Sequence, residues 1–138
     1  MRDLSHLFDA SDFPFISKHR SLTEILTDND LAALGDAFVN FVYSLALSLK
    51  EGKPAGRKLG NVPLASALRK AGLRKMLPFR TDRHRQANAA EALIVYAWLV
   101  GILSLKEILR IISSSENIED SLEILLQKIV EKSGGFIT

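Results

Sequence analysis

Two carboxylates in this sequence stand where a carboxylate is expensive. Asp36 follows Leu34-Gly35 inside the apolar stretch DNDLAALGDAFVNFVYSLALSL, from Asp28 to Leu49, and Glu91 stands in QANAAEALIVYAWLVGIL, from Gln86 to about Leu103. A charge in apolar surroundings needs a partner, a metal or a proton. Facing each other, the two would hold a hard cation through oxygen. Mg2+ (or Mn2+) suits such ligands, and magnesium is typically held by one or two carboxylates, with water and substrate phosphate in the remaining positions. The corresponding chemistry is activation of water and stabilisation of charge during phosphodiester hydrolysis. Asn88 precedes Glu91 by three residues and shares its helix face, so its amide oxygen would add a neutral ligand or orient water. The plain alternative is that each carboxylate pairs with an arginine such as Arg80 or Arg85, or that Glu91 faces solvent near its helix N-terminus. Such pairs occur without function.

These residues must be positioned by helices. Leu31, Leu34, Phe38, Phe41, Val42, Leu45 and Leu49 recur at helical spacing, and Val39, Tyr43, Ala46 and Leu47 leave little polar face. This helix is expected to be the buried centre of the fold, capped by Asp28 and ended by Gly52 and Pro54. Gly35 weakens it unless something must approach closely there. Ser21-Leu22-Thr23-Glu24 is a capping box for a short preceding helix. Asn61 is expected to cap a helix with Pro63 in its first turn and with Leu64, Ala67 and Leu68 buried, stopping at Gly72. Ser104-x-x-Glu107 opens another helix, and Asn117 opens the last, which Gly134-Gly135 closes. No stretch alternates with period two, so the expected class is all-α. The first twenty residues read as irregular, with Phe13 and Phe15 packing over the edge of the core.

The 138 residues, 47% hydrophobic and 25% charged, fit one domain with a sizeable core. With no cysteine, disulfides and thiolate zinc sites are excluded. The N-terminus lacks the basic start and apolar run of a signal peptide, and Ala92 to Leu103 is too short to span a bilayer, so a soluble cytoplasmic protein is expected. The net charge of +2 conceals an asymmetry. From Lys50 to Arg85 there are eleven Lys and Arg against Glu51 and Asp82, about +9, which leaves about −7 for the rest. Lys53, Arg57, Lys58, Arg80, Arg83 and Arg85 are the candidate contacts to a polyanion, with Arg69-Lys70 and Arg74-Lys75 between them. His6, His19 and His84 lack metal-ligand spacing, and His84 between two arginines reads as an RNA contact or a surface residue. Tyr96 and Trp98 read as core or dimer surface.

Three segments in order carry a family resemblance. Leu31-x-x-Leu34-Gly35-Asp36-Ala37 and its apolar helix resemble the signature helix of ribonuclease III, an E-x-x-E-x-x-G-D type run. Asn61-x-x-Leu64-Ala65 leading to Gly72-Leu73 is similar to that family's N-x-x-L-A...LGL segment, and Asn88-Ala89-Ala90-Glu91-Ala92-Leu93-Ile94 resembles its D-A-x-E-A-L-I-G helix. Together they span the chain from about Ser21 onward. The size resembles nuclease-domain-only members such as Mini-III and the archaeal ribonuclease III-like proteins, without a double-stranded-RNA-binding domain. The resemblance implies the family's helical endonuclease bundle, a divalent ion held by Asp36 and Glu91, and a homodimer that addresses both strands of a duplex. It also exposes departures. The family's acids fall on Asn29, Ala32 and Asn88 as well as on Asp36 and Glu91, so five acidic positions have become two, and the family's N-terminal T-H-x-S-Y type sequence is missing.

Three functions follow. One is a magnesium-dependent endoribonuclease for double-stranded RNA with a reduced acidic site, in which Asp36, Glu91 and Asn88 act. Another is an inactive RNA-binding homodimer in RNA processing or ribosome assembly. In both, the basic third reads A-form shape through phosphates. The last is an unrelated helical interaction domain.

Overall fold

The structure, a computed structural model, describes residues 13–134 except Ser17 and Phe79. Six α-helices make up the described chain: α1 (Leu22–Leu26), α2 (Asn29–Glu51), α3 (Asn61–Lys70), α4 (Arg83–Leu99), α5 (Leu105–Ile112) and α6 (Ile118–Lys132). Short 3-10 turns at Pro14–Ile16 and Arg74–Met76 complete it, and no strand occurs among the described residues. The all-α expectation holds. His6 and the rest of residues 1–12 lie outside the described residues, as does Gly135.

The centre is α4, not α2. Twelve of the 17 residues of α4 are buried, against five of the 23 in α2. The composition of α4 explains this, because Ala87, Ala89, Ala90, Ala92 and Ala97 present little bulk and let α1, α2, α3 and α6 close around it. The helix begins at Arg83, earlier than its apolar residues indicate, because Asp82 Oδ1 accepts the Arg85 N–H at 2.8 Å. It stops at Leu99, where Gly101 takes a left-handed φ of 83°.

Instead of a buried cylinder, α2 has three faces. Leu31, Ala32, Gly35, Val39 and Val42 are buried. Asp36, Asn40, Ser44 and Ser48 form a polar stripe one turn apart. Leu34, Phe41 and Leu49 are 42%, 56% and 65% exposed and share a third face with Ala37 and Leu45. By length and composition α2 is apolar enough to cross a membrane, yet only 28% of its most apolar window is buried within the fold. Its start is held by Asp28, whose Oδ1 accepts the Leu31 N–H at 3.0 Å while Oδ2 meets His19 Nε2 at 2.8 Å. His19 is therefore a buried structural group.

Local caps differ in detail from those the sequence predicts. Ser21 caps α1, but the Glu24 carboxylate accepts from the Arg20 N–H, so that box does not close on Ser21. The Ser104–Glu107 box closes in both directions. Gly60, not Asn61, is the N-cap of α3, and Asn61 enters the helix with its side chain turned toward His84. Phe13 packs partly against the core, whereas Phe15 remains 46% exposed. Tyr96 is buried, and the half-buried Trp98 stacks on Phe38 at 4.9 Å.

Gly35 marks the contact between α2 and α4. A Cβ there would lie 2.2 Å from the Glu91 carbonyl oxygen and 2.5 Å from its carbon. These are backbone atoms that cannot swing aside, so any side chain must separate the helices. Gly35→Ala is expected to lower unfolding free energy by about 3 kcal/mol or more in urea titration, although alanine is the better helix former by about 1 kcal/mol.

Candidate functional site

The approach at Gly35 places the next residue of α2 beside Glu91 of α4. Asp36 and Glu91 open on one cavity of about 350 Å3, lined also by Asn29, Ala32, Ala33, Asn61, His84 and Asn88. Three elements contribute: the first two turns of α2, the start of α3 and the N-terminal half of α4. Asp36 is exposed at the rim and Glu91 is 3% exposed beneath it.

Neither carboxylate has an arginine partner among the described residues, and Glu91 does not face solvent, which removes the plain alternative. Instead the two acids meet each other. Burial pushes the Glu91 carboxyl up to about 8, and a hydrogen bond and charge repulsion from Asp36 add to it. Near neutral pH Glu91 therefore keeps a proton that an isolated glutamate would release. Asp36 Oδ1 also accepts from Asn40 Nδ2 at 3.1 Å.

Such a pair fits a divalent ion. Two apposed carboxylates supply the charge that magnesium commonly takes from protein, and binding would displace the Glu91 proton. No group of three or more His, Asp or Glu placed to hold a metal exists among the described residues, so neutral oxygens and water would fill the other positions. Asn29, Asn61 and Asn88 are the amides of the cavity wall.

A family model described as Ribonuclease III matches residues 29–132. The chain belongs to the ribonuclease III family. No curated protein matches it. Ribonuclease III proteins act on RNA and generally use divalent metals. Asn29, Ala32, Asp36, Asn88 and Glu91, the five positions to which the motif resemblance assigns the family's acids, line the same cavity. Ala32 supplies no ligand atom, and the two asparagines supply neutral ones.

Two wall residues were not expected from the sequence. Asn61 had the signature of a cap and His84 that of an RNA contact or surface residue; His84 is exposed, yet Asn61 Nδ2 lies 3.4 Å from His84 Nδ1 in the cavity wall. Only the N-x-x-L-A resemblance pointed to Asn61. The basic candidates lie outside the cavity. Lys53, Arg57, Lys58, Arg80, Arg83 and Arg85 are all exposed, and none forms an ion pair with a described residue. Arg83 and Arg85 flank His84 at the cavity wall, whereas Lys53 follows the far end of α2, roughly 25 Å along the helix from Asp36.

The raised Glu91 value has a sign. Between its ordinary 4.5 and about 8 the folded chain holds a proton that the unfolded chain has released, so this group's contribution to stability falls as pH rises and levels off above 8. Glu91→Gln is expected to flatten that slope and to exceed the wild type by about 1–3 kcal/mol at alkaline pH, measured by urea unfolding across the range without divalent ions.

Proposed function

We propose that this protein is a divalent-metal-dependent endoribonuclease that hydrolyses phosphodiester bonds in double-stranded RNA. The observation that carries this reading is the meeting of Asp36 and Glu91 in the cavity that also gathers the family's other acid positions. Bound between them, Mg2+ or Mn2+ would supply an electrophile for the phosphate oxygens and lower the pKa of water. The chain's own part is to bind and orient. Asp36 and Glu91 would hold the ion, Glu91 without its proton, and Asn88 and Asn29 would offer amide groups to solvent and substrate in the same wall. Arg83 and Arg85 beside the cavity, Arg80 just before α4, and Arg57, Lys58 and Lys53 in the α2–α3 connection are all exposed and contact the phosphates of the duplex.

The exposed face of α2 supports a homodimer. Leu34, Phe41 and Leu49 stand exposed on one side of the helix that carries Asp36, so a second copy packed there would cover them and pair two sites for two strands. Phe41→Asp is expected to convert a dimer to a monomer in light scattering while far-ultraviolet dichroism stays unchanged.

The deciding experiment incubates the purified protein with long duplex RNA and Mg2+ or Mn2+. Cleavage is expected, falling by roughly 10²–10³-fold in Asp36→Asn and in Glu91→Gln. Cutting that survives both changes means a contaminant. Duplex binding without cutting by the wild type supports the inactive RNA-binding homodimer instead, the reading that Ala32 and Asn88 favour. In either case, replacing Arg83 and Arg85 with Ala is expected to reduce the slope of log affinity against log salt by about 1 for each phosphate no longer neutralised.

A further inference from the structure

The polar stripe of α2 does more than face solvent. Asn40, Ser44 and Ser48 stand one turn apart, and the segment Ala55–Leu59 runs back antiparallel along them. Ala55 N–H donates to Ser48 Oγ at 2.8 Å, Arg57 N–H to Ser44 Oγ at 2.8 Å and Leu59 N–H to Asn40 Oδ1 at 2.7 Å. Ser44 Oγ also donates to the Arg57 carbonyl at 2.9 Å. Four helical residues advance about 6 Å and two extended residues about 6.6 Å, which is why three rungs stay in step. Slippage of the segment by one residue would break all three.

The rung nearest the cavity has a second connection. With its oxygen occupied by Leu59, the Asn40 amide presents its NH2 group, which donates to Asp36 Oδ1 at 3.1 Å. One side chain thus ties a site carboxylate to a segment bearing the exposed Arg57 and Lys58. The same segment continues through Gly60 to Asn61 in the cavity wall. An amide suits this task because its acceptor and donor ends are distinct and fix one Asp36 oxygen.

We propose that Asn40 is a positioning residue that couples the Asp36 carboxylate to the basic segment Ala55–Leu59, so that docking of this segment on α2 and divalent-ion affinity at Asp36 and Glu91 rise and fall together. This rests on the metal-site reading above. Ser44 carries the critical test, because it touches the segment but no group of the cavity.

The experiment follows Mg2+ binding by calorimetry and backbone amide hydrogen exchange in the full chain, for the wild type, Asn40→Ala, Ser44→Ala and Ser44→Thr. Ser44→Ala is expected to speed exchange at Arg57 and Leu59 and to weaken Mg2+ binding about fivefold, with Ser44→Thr restoring both. Asn40→Ala is expected to weaken Mg2+ binding about tenfold. Faster exchange in Ser44→Ala with unchanged Mg2+ affinity would overturn the coupling and leave Asn40 a loop staple. A wild-type chain that binds no Mg2+ overturns the metal-site reading itself, and the coupling with it. Should Asn40→Ala fail to fold, the two Ser44 variants decide the matter alone.

Discussion

One backbone contact governs the geometry of this molecule: α2 lies against α4 with no side chain between Gly35 and the Glu91 carbonyl. Close approach of two helices normally leaves room only for small residues, and here the buried face of α4 is alanine-rich for the same reason. The residue after the glycine is then forced beside the residue whose carbonyl is touched. Asp36 and Glu91 therefore meet because the helices do. Burial of Glu91, with the Asp36 carboxylate beside it, favours the protonated form of Glu91, as its raised value indicates. A buried acid pair of this kind is receptive to a divalent ion, which would take the place of the Glu91 proton.

The faces of α2 distribute the remaining tasks. Its buried face packs on α4, and its polar stripe carries Asp36 and clasps the segment that leads into α3. Its third face is apolar and exposed. A helix with this division is apolar on two faces yet buried on only one of them, which suits an element completed by association.

The basic third is thinned by internal pairing. Lys50 reaches Glu116, Lys70 reaches Glu119 and Arg69 reaches Gln86, so these side chains tie α2 to the α5–α6 connection and α3 to α6 and α4. Glu119 also accepts from Ser66 at 3.0 Å, fixing α6 to α3. What remains for a polyanion is a smaller set at the ends of helices and along the α2–α3 connection, with Arg83 and Arg85 next to the cavity. Exposed pairs of this kind contribute little to stability, so their role in holding the fold is modest.

The helices themselves were legible in the sequence, because periodicity, capping residues and helix-ending glycines act over a few residues. Gly35 as a point of close approach was legible as well, since a glycine inside so apolar a helix weakens it unless a neighbouring backbone needs the space. Burial was not. Periodicity shows that a helix has an apolar face but not whether its own fold or another surface covers it, so α2 read as the centre and the smaller, alanine-rich α4 took that place. Nor could spacing reveal that Asn61 leaves its cap position to Gly60, or that Asn61 and His84 meet in the cavity wall. Those positions depend on how α3 and α4 are set against α2, a long-range arrangement that tertiary packing alone decides.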